Sequence, residues 1–243
     1  PFDGTRFGRS EVAVPPAVNY TGWGWGQVAL QGRDRRWWFA TGLGLLSTGP
    51  TRSLEDLGHP PASRVYPTAA GAAGNDVFRV FEDANGDIWV STDHWSLDLT
   101  GLSHIDRATG RVRTFRVAEG LPWGRPTAFA HAPDGGVYAI LDAGTLLLHQ
   151  GNGFRLKADL TSILGGGDFT LFRDAAHRLW IGTSDRGVFR FDDPVASLTP
   201  SLHLSRSDGL ASNEVDCITE DPFHRIYLAT GRGIDRVHER GGL

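Results

Sequence analysis

Short runs of alternating hydrophobic and polar residues recur along the whole chain. Residues 77–92 read VFRVFEDANGDIWVST, which is two strand-like runs on either side of an Asn-Gly turn. The same order of strand, polar turn and strand is found in residues 28–41, 127–141, 169–183 and 215–230. Alternation with a period of two, interrupted by turn residues, is typical of antiparallel β-hairpins. The pattern therefore predicts an all-β fold built from five related hairpins.

Each hairpin belongs to a longer repeat. An aromatic residue stands at one position of the second strand, and these residues are 42 to 51 positions apart: Trp38, Trp89, Tyr138, Trp180 and Tyr227. A glycine opens a third strand in four copies, at Gly44, Gly101, Gly187 and Gly233. A variable fourth strand follows, for example at residues 113–117. Four short strands per repeat of this length predict a β-propeller of about five four-stranded antiparallel blades.

The repeats define one predicted domain. Residues 1–243 form a single β-propeller domain, with the five blades in residues 21–243. Residues 1–20 contain a strand-like segment that would complete the last blade and close a five-bladed ring. The alternative is that the chain is part of a larger ring with more blades. The sequence leaves both arrangements open.

Composition narrows the class of protein. The 243 residues include 32 glycines and 13 prolines, which favour turns over a helix bundle. The net charge is −4, so the basic excess expected of a nucleic-acid-binding protein is missing. No apolar run approaches the roughly 18 residues that a membrane span needs, so this segment is expected to make no membrane contact. The chain has no methionine, and we interpret it as a piece of a longer protein.

Two stretches resemble a known repeat. Residues 209–215 read GLASNEV and residues 174–183 read DAAHRLWIGT, and together they are similar to the two-component regulator propeller repeat, which runs GLxxNxV, an acidic turn and LWIGT. The third copy departs from this motif, because Leu141 replaces the threonine and Ala132 replaces the acid of the turn. The resemblance implies an extracytoplasmic sensor domain of a bacterial histidine kinase, a hybrid two-component regulator or a diguanylate cyclase.

The function implied by this resemblance is noncatalytic. The propeller would belong to the periplasmic or extracytoplasmic part of a membrane-anchored signalling protein and would bind a ligand or a second propeller to regulate a kinase. One alternative is a carbohydrate-binding or carbohydrate-cleaving propeller, and another is a protein-interaction propeller. An enzyme would need carboxylates that converge, for which the sequence offers Asp76, Asp98 and Glu214. No catalytic residue, metal ligand or cofactor is assigned.

The repeated side chains have structural explanations. One aromatic residue per copy at one strand position indicates packing between blades. The acids of the hairpins are expected to accept hydrogen bonds within their turns, and they are Asp34, Asp83, Asp134, Asp174 and Asp221. The nine histidines show no paired metal-ligand spacing.

Differences between the copies point to a binding face. Nine positions separate Thr92 from Gly101, against three or four in the other copies, and the inserted loop carries Trp95. The loops preceding the first strands and following the second strands share one face in a propeller. The candidate ligand-binding residues on these loops are Trp23, Trp25, Trp95, Trp123, Arg125, Arg186 and Arg232. They suit an acidic or neutral oligosaccharide, while a second propeller, a dimer partner or a channel plugged by its own tryptophans are the alternatives.

Overall fold

Antiparallel sheets account for nearly all of the regular structure. The computed structural model describes residues 5, 12–16, 18, 26–60, 62–66, 76–93 and 99–238, and they form five sheets. The one α-helix in these ranges, α1 (Thr161–Leu164), is a single turn. No helix of the described part is long and apolar enough to cross a membrane. The predicted all-β class with five blades is confirmed.

The chain divides into two compact units. The first comprises Pro1–Glu82 and Gly86–Arg116, and the second comprises Asp83–Asn85 and Val117–Leu243. In every sheet of both units, strands that are consecutive in the chain pair with each other antiparallel.

The first unit contains two four-stranded sheets. The first sheet consists of β1 (Ala29–Gln31), β2 (Arg36–Thr41), β3 (Gly44–Pro50) and β4 (Ser63–Tyr66). The second consists of β5 (Val77–Glu82), β6 (Ile88–Thr92), β7 (Gly101–Ile105) and β8 (Val112–Phe115). Trp38 and Leu45 of the first sheet pack against Val80 and Ile88 of the second, so a hydrophobic core joins the two sheets.

The second unit contains three sheets. The third sheet of the chain consists of β9 (Pro126–His131), β10 (Val137–Leu141), β11 (Thr145–Gln150) and β12 (Gly153–Asp159). The fourth consists of β13 (Phe169–Arg173), β14 (Leu179–Thr183), β15 (Val188–Phe191) and β16 (Leu202–Leu204). The fifth consists of β17 (Val215–Glu220), β18 (Ile226–Thr230) and β19 (Gly233–Val237).

The fifth sheet has three strands within the described residues, where four were expected. The segment expected to supply its fourth strand, in residues 1–20, lies largely outside the described residues. The proposed closing strand therefore stays a prediction.

The aromatic position of the repeat packs between neighbouring sheets of one unit. Tyr138 of the third sheet lies in a core with residues of the fourth, and Trp180 of the fourth lies in a core with residues of the fifth. Trp89 is also buried, and its ring lies 4.5 Å from that of His104. Tyr227 is half-buried, unlike the other four aromatic residues. Packing between blades is confirmed for Trp38, Tyr138 and Trp180.

The glycine that opens the third strand has a steric cause. A Cβ atom at Gly44 would lie 2.5 Å from the carbonyl oxygen of Tyr66 on the fourth strand, and one at Gly187 would overlap the carbonyl oxygen of Leu204. Both glycines also have positive φ angles, 123° and 82°. The repeat needs glycine here because the fourth strand approaches the backbone too closely for a side chain.

The hairpin turns show which residues of the first and third sheets stand at the position of Asp174. The N–H of Asp174 donates to the carbonyl of Arg178, and Gly32 and Ala132 make the same bond in the first and third sheets. Gly32 and Ala132 therefore hold the position of Asp174, while Asp34 and Asp134 lie two residues further into their turns. Hydrogen bonding by the acid within its own turn is confirmed for four of the five acids, because a backbone N–H of the turn donates to the Oδ1 of Asp34, Asp83, Asp174 and Asp221.

Asp221 predicts a pH dependence that can be measured. Its burial alone would raise its pKa, but bonds from the N–H groups of Arg225 (3.0 Å) and Phe223 (2.9 Å) and from the Arg225 Nε (2.6 Å) lower the pKa to about 2. An unfolded aspartate titrates near 3.9, so ionisation stabilises the fold above about pH 4 and this stabilisation is lost as the pH falls towards about 2. A carboxyl NMR titration should place the midpoint of Asp221 near 2, and Arg225→Ala should raise it. An unchanged midpoint in the variant would contradict this explanation.

Candidate functional site

The predicted binding face can be followed from loop to loop in the second unit. The N–H of Gly167, in the loop preceding β13, donates to the carbonyl of Asp142, in the loop that follows β10, at 2.8 Å. The N–H of Gly187, after β14, donates to the carbonyl of Asn213, before β17, also at 2.8 Å. Loops of the two predicted kinds therefore lie side by side. We call residues 123–125, 142–144, 165–168, 184–187, 212–214 and 231–232 the second-unit rim.

Trp123 is the exposed aromatic residue of this rim. It lies in the loop preceding β9, and 61% of its surface is accessible, whereas the aromatic residues of the repeat in the same unit are buried or half-buried. An indole that is not used by the core offers an open face for stacking against a ring or packing against a partner. Trp123 is thus exposed on a loop of the predicted face, and its use in ligand binding stays a prediction.

Arg125 is fixed by two acids that the sequence did not identify. Its Nη2 donates to Asp168 Oδ1 at 2.9 Å, and its Nε lies 3.9 Å from Asp142 Oδ2. The backbones of Arg125 and Asp142 also bond to each other, because the N–H of Asp142 donates to the carbonyl of Arg125. An acidic ligand at Arg125 would have to compete with these carboxylates, whereas sugar hydroxyls could donate to them.

Arg186 has a structural role on the rim. Its Nη1 donates to the carbonyls of Ile163 at 3.1 Å and Ser162 at 3.4 Å, which belong to the single turn of α1. Its guanidinium also lies against Gly165, where a Cβ atom would come within 2.9 Å of the Arg186 Nε. The arginine that the sequence assigned to ligand binding therefore holds the loop preceding β13 in place.

Arg232 lies at the far end of the rim. It is exposed, and its backbone N–H donates to Thr230 Oγ1 at 3.3 Å. The adjacent Gly231 faces the carboxylate of Glu214, which would lie 3.5 Å from a Cβ atom at that glycine. The side chain of Arg232 therefore remains available to a ligand.

Glu214 has an acidic neighbour in the first strand of the fifth sheet. Burial, together with the charge of Glu214, raises the pKa of Asp216. Burial, and then the charge of Asp216, also raises the pKa of the Cys217 thiol. A carboxyl group whose pKa is raised by burial and by a neighbouring charge is one that acid–base chemistry can use.

Three of the candidate ligand-binding residues, Trp23, Trp25 and Trp95, lie outside the described residues, as does Asp98. Asp76 belongs to the first unit, at the start of β5. The structure therefore places Trp123, Arg125, Arg186 and Arg232 on loops of one rim. Asp142 and Asp168 join them. Asp142 could have been found from the sequence, because it is an acid that directly follows the second strand of its blade.

Comparison with known proteins supports the repeat. Residues 71–94 match a family model described as two component regulator propeller. This match falls on the second copy, while the resemblance noted in the sequence came from the fourth and fifth, so separate repeats carry the same signature. No curated protein sequence matches the chain.

Solved structures show the same fold at low identity. The extracellular domain of a protein described as a hybrid two component system from B. thetaiotaomicron is 14% identical, with a TM-score of 0.64 over 88% of this chain and 27% of that one. Catalytically inactive virginiamycin B lyase from Staphylococcus aureus, solved with quinupristin, is 12% identical, with a TM-score of 0.70 over 96% of this chain and 71% of that one. A gluconolactonase from Xanthomonas campestris is 14% identical, with a TM-score of 0.60 over 85% of this chain and 69% of that one.

These likenesses establish a propeller-type fold. The chain spans about a quarter of the length of the two-component extracellular domain that it matches. Proteins of different activities share this fold, so function has to be argued from the site.

Proposed function

The chain carries a two-component regulator propeller repeat, and we propose that it is a noncatalytic, extracytoplasmic sensor propeller of a two-component signalling protein. The observation that carries this proposal is the repeat match in residues 71–94 on a fold shared with the extracellular domain of a two-component system. Binding would act by favouring one of two arrangements of the signalling protein, since a ligand shifts an equilibrium only by its preference for one state.

The second-unit rim is the proposed binding surface. Trp123 supplies an exposed indole face, and Asp142 and Asp168 supply hydrogen-bond acceptors beside it. Arg125 is already paired with Asp168, so it is not free to pair with the carboxylate of a ligand. The rim therefore suits a neutral oligosaccharide, which binds through its hydroxyl groups, better than an acidic one. A second propeller that docks on Trp123 is the other occupant that this surface supports.

Removing Trp123 should separate binding from folding. Trp123→Ala is expected to weaken binding of the recognised oligosaccharide about tenfold or more, because truncation of a central aromatic residue is among the most damaging changes at an interface. Isothermal titration with maltohexaose, cellohexaose, xylohexaose and an oligogalacturonate provides the measurement. Phe223→Ala is the matched control, since Phe223 is also an exposed aromatic residue but lies in the turn at the opposite end of β17.

The same variants test the alternative occupant. If a second propeller binds here, multi-angle light scattering should show self-association of the wild type that Trp123→Ala weakens and Phe223→Ala does not. If no glycan binds and the mass stays monomeric in all three proteins, the proposed use of this rim is wrong.

A catalytic propeller is the second candidate function. It is favoured by the Glu214 and Asp216 pair, in which burial and the neighbouring charge raise the pKa of Asp216. Lactone hydrolysis and glycan cleavage should be assayed for wild type, Glu214→Gln and Asp216→Asn. Turnover that disappears in both variants would replace the sensor proposal with an enzyme.

A further inference from the structure

A polar cavity lies in the first unit, at the ends of the strands opposite to the loops between the second and third strands. Its volume is about 310 Å³, and it opens between the β1–β2 turn and the β7–β8 turn. Both turns are at the opposite end of their sheets from the Thr41–Gly44 and Thr92–Gly101 connections, because consecutive strands alternate in direction. Three arginines line it, Arg36, Arg64 and Arg107, and we call it the arginine cavity.

Two of these arginines are neutralised by acids. Asp34 accepts a hydrogen bond from Arg107 Nη2, and its Oδ2 lies 3.2 Å from Arg36 Nε. Arg107 Nη1 lies 3.7 Å from a carboxylate oxygen of Glu82. The carboxylate of Asp106 bonds within its own turn, where it accepts from the N–H of Thr109 at 2.8 Å. The charges of Arg36 and Arg107 are therefore largely satisfied by the protein.

Arg64 is different. Its guanidinium lies over the ring of Tyr66, 4.3 Å from the centroid, and no carboxylate of the described residues pairs with it. Tyr66 packs in turn against Trp38, with 5.5 Å between ring centroids, and Trp38 is buried in the core. Arg64 is thus held on an aromatic ring without a carboxylate partner among the described residues, at the wall of a cavity that already contains two more guanidinium groups.

We propose that the arginine cavity binds a small hydroxylated carboxylic acid, of the size and chemistry of a uronic acid. A guanidinium fork matches the geometry of a carboxylate, and Arg64 is the arginine with that fork still available. The carboxylates of Asp34 and Asp106 line the same space and can accept bonds from ligand hydroxyls. The volume equals that of about ten liquid water molecules, which is far more than a bare carboxylate fills.

This site is independent of the second-unit rim. The rim presents Trp123 beside acids that are paired with Arg125, whereas the arginine cavity presents Arg64, which has no carboxylate partner among the described residues. We therefore expect neutral ligands to bind at the rim and acidic ligands to bind in the cavity. Failure of one proposal leaves the other standing, because they rest on different residues and are tested with different variants.

Titration of the whole chain with D-galacturonate tests the proposal, with D-galactose and acetate as the probes that lack the carboxylate or the hydroxyls. Wild type should bind galacturonate more tightly than either probe, and rising salt should weaken the binding. Arg64→Ala should weaken it about tenfold or more, and Arg64→Lys should restore only part of the loss, since lysine keeps the charge and loses the fork.

Arg113→Ala is the matched control. Arg113 occupies the fourth strand of the second sheet, as Arg64 does of the first, and it is also exposed and stacked on an aromatic ring, 4.7 Å from the centroid of Phe115. This variant should bind galacturonate as the wild type does. The proposal is overturned if galacturonate binds no better than galactose, or if Arg64→Ala binds it as well as Arg113→Ala does.

Discussion

Trp180→Ala is expected to lower the free energy of unfolding by about 3–5 kcal/mol, the range for truncating a large buried aromatic side chain. Trp180 is 1% exposed and lies in the core between the fourth and fifth sheets. Alanine would leave a cavity there that the paired strands on both sides cannot easily close. The guanidinium of Arg190, 5.4 Å from the ring centroid, would also lose its aromatic contact.

Chemical denaturation monitored by far-UV circular dichroism measures this change, and Trp123→Ala is its control. Both substitutions remove an indole from the second unit, but Trp123 is 61% exposed and its loss should change the stability by less than about 0.5 kcal/mol. Trp180→Phe should fall between the two, because it keeps most of the ring volume and loses the N–H. Equal effects of the two alanine substitutions would show that Trp180 does not hold the sheets together.

The strands could be predicted from the sequence because each blade repeats its local rules. The period-two alternation and the turn residues locate both hairpin strands in all five copies, and the third strand at Gly233–Val237 matches its prediction. Gly44, Gly101 and Gly187 could be recognised by repetition alone. The reason for glycine, a carbonyl oxygen of the fourth strand that leaves no room for a Cβ atom, can be seen only once the third and fourth strands are paired.

The contacts on the rim could not be predicted because they join residues far apart in the chain. Arg125 and Asp168 are 43 positions apart, and their pairing depends on how the third sheet packs on the fourth. Arg186 looked like a ligand-binding residue because its loop is on the correct face. Its bonds to the carbonyls of α1 depend on a single helical turn that the strand pattern does not reveal.

The exact positions of the turn acids could not be predicted from the sequence either. Asp34 appeared equivalent to Asp174, but the backbone bonds place Gly32 at that position. The consequence is visible at the aromatic residue, because the Nε1 of Trp38 is buried without a hydrogen-bond partner among the described residues. In the fourth sheet the same indole position is satisfied, since Trp180 Nε1 donates to Asp174 Oδ2 at 2.7 Å.

Asp174→Ala should therefore be the second most damaging substitution, with an expected loss of about 2–4 kcal/mol of unfolding free energy. The carboxylate of Asp174 is completely buried, and it accepts from Trp180 Nε1 and, at 2.6 Å, from Arg178 Nε. Alanine would leave the indole N–H buried without an acceptor and remove the charge partner of Arg178. An unsatisfied buried donor and a lost bond to a charged group are the two largest penalties that hydrogen bonding contributes.

Asp174→Asn separates these two effects. The amide oxygen can still accept from Trp180 Nε1, while the ion pair with Arg178 is lost, so this variant should lose less stability than Asp174→Ala. The double variant Asp174→Ala with Trp180→Phe removes donor and acceptor together, and it should be less destabilised than the sum of the two single changes, because no buried N–H is then left unpaired. Additive losses in this cycle would mean that the carboxylate stabilises the turn alone. The first sheet tolerates an indole without an acid at Gly32, whereas in the fourth sheet this bond adds to the packing that holds Trp180 between blades.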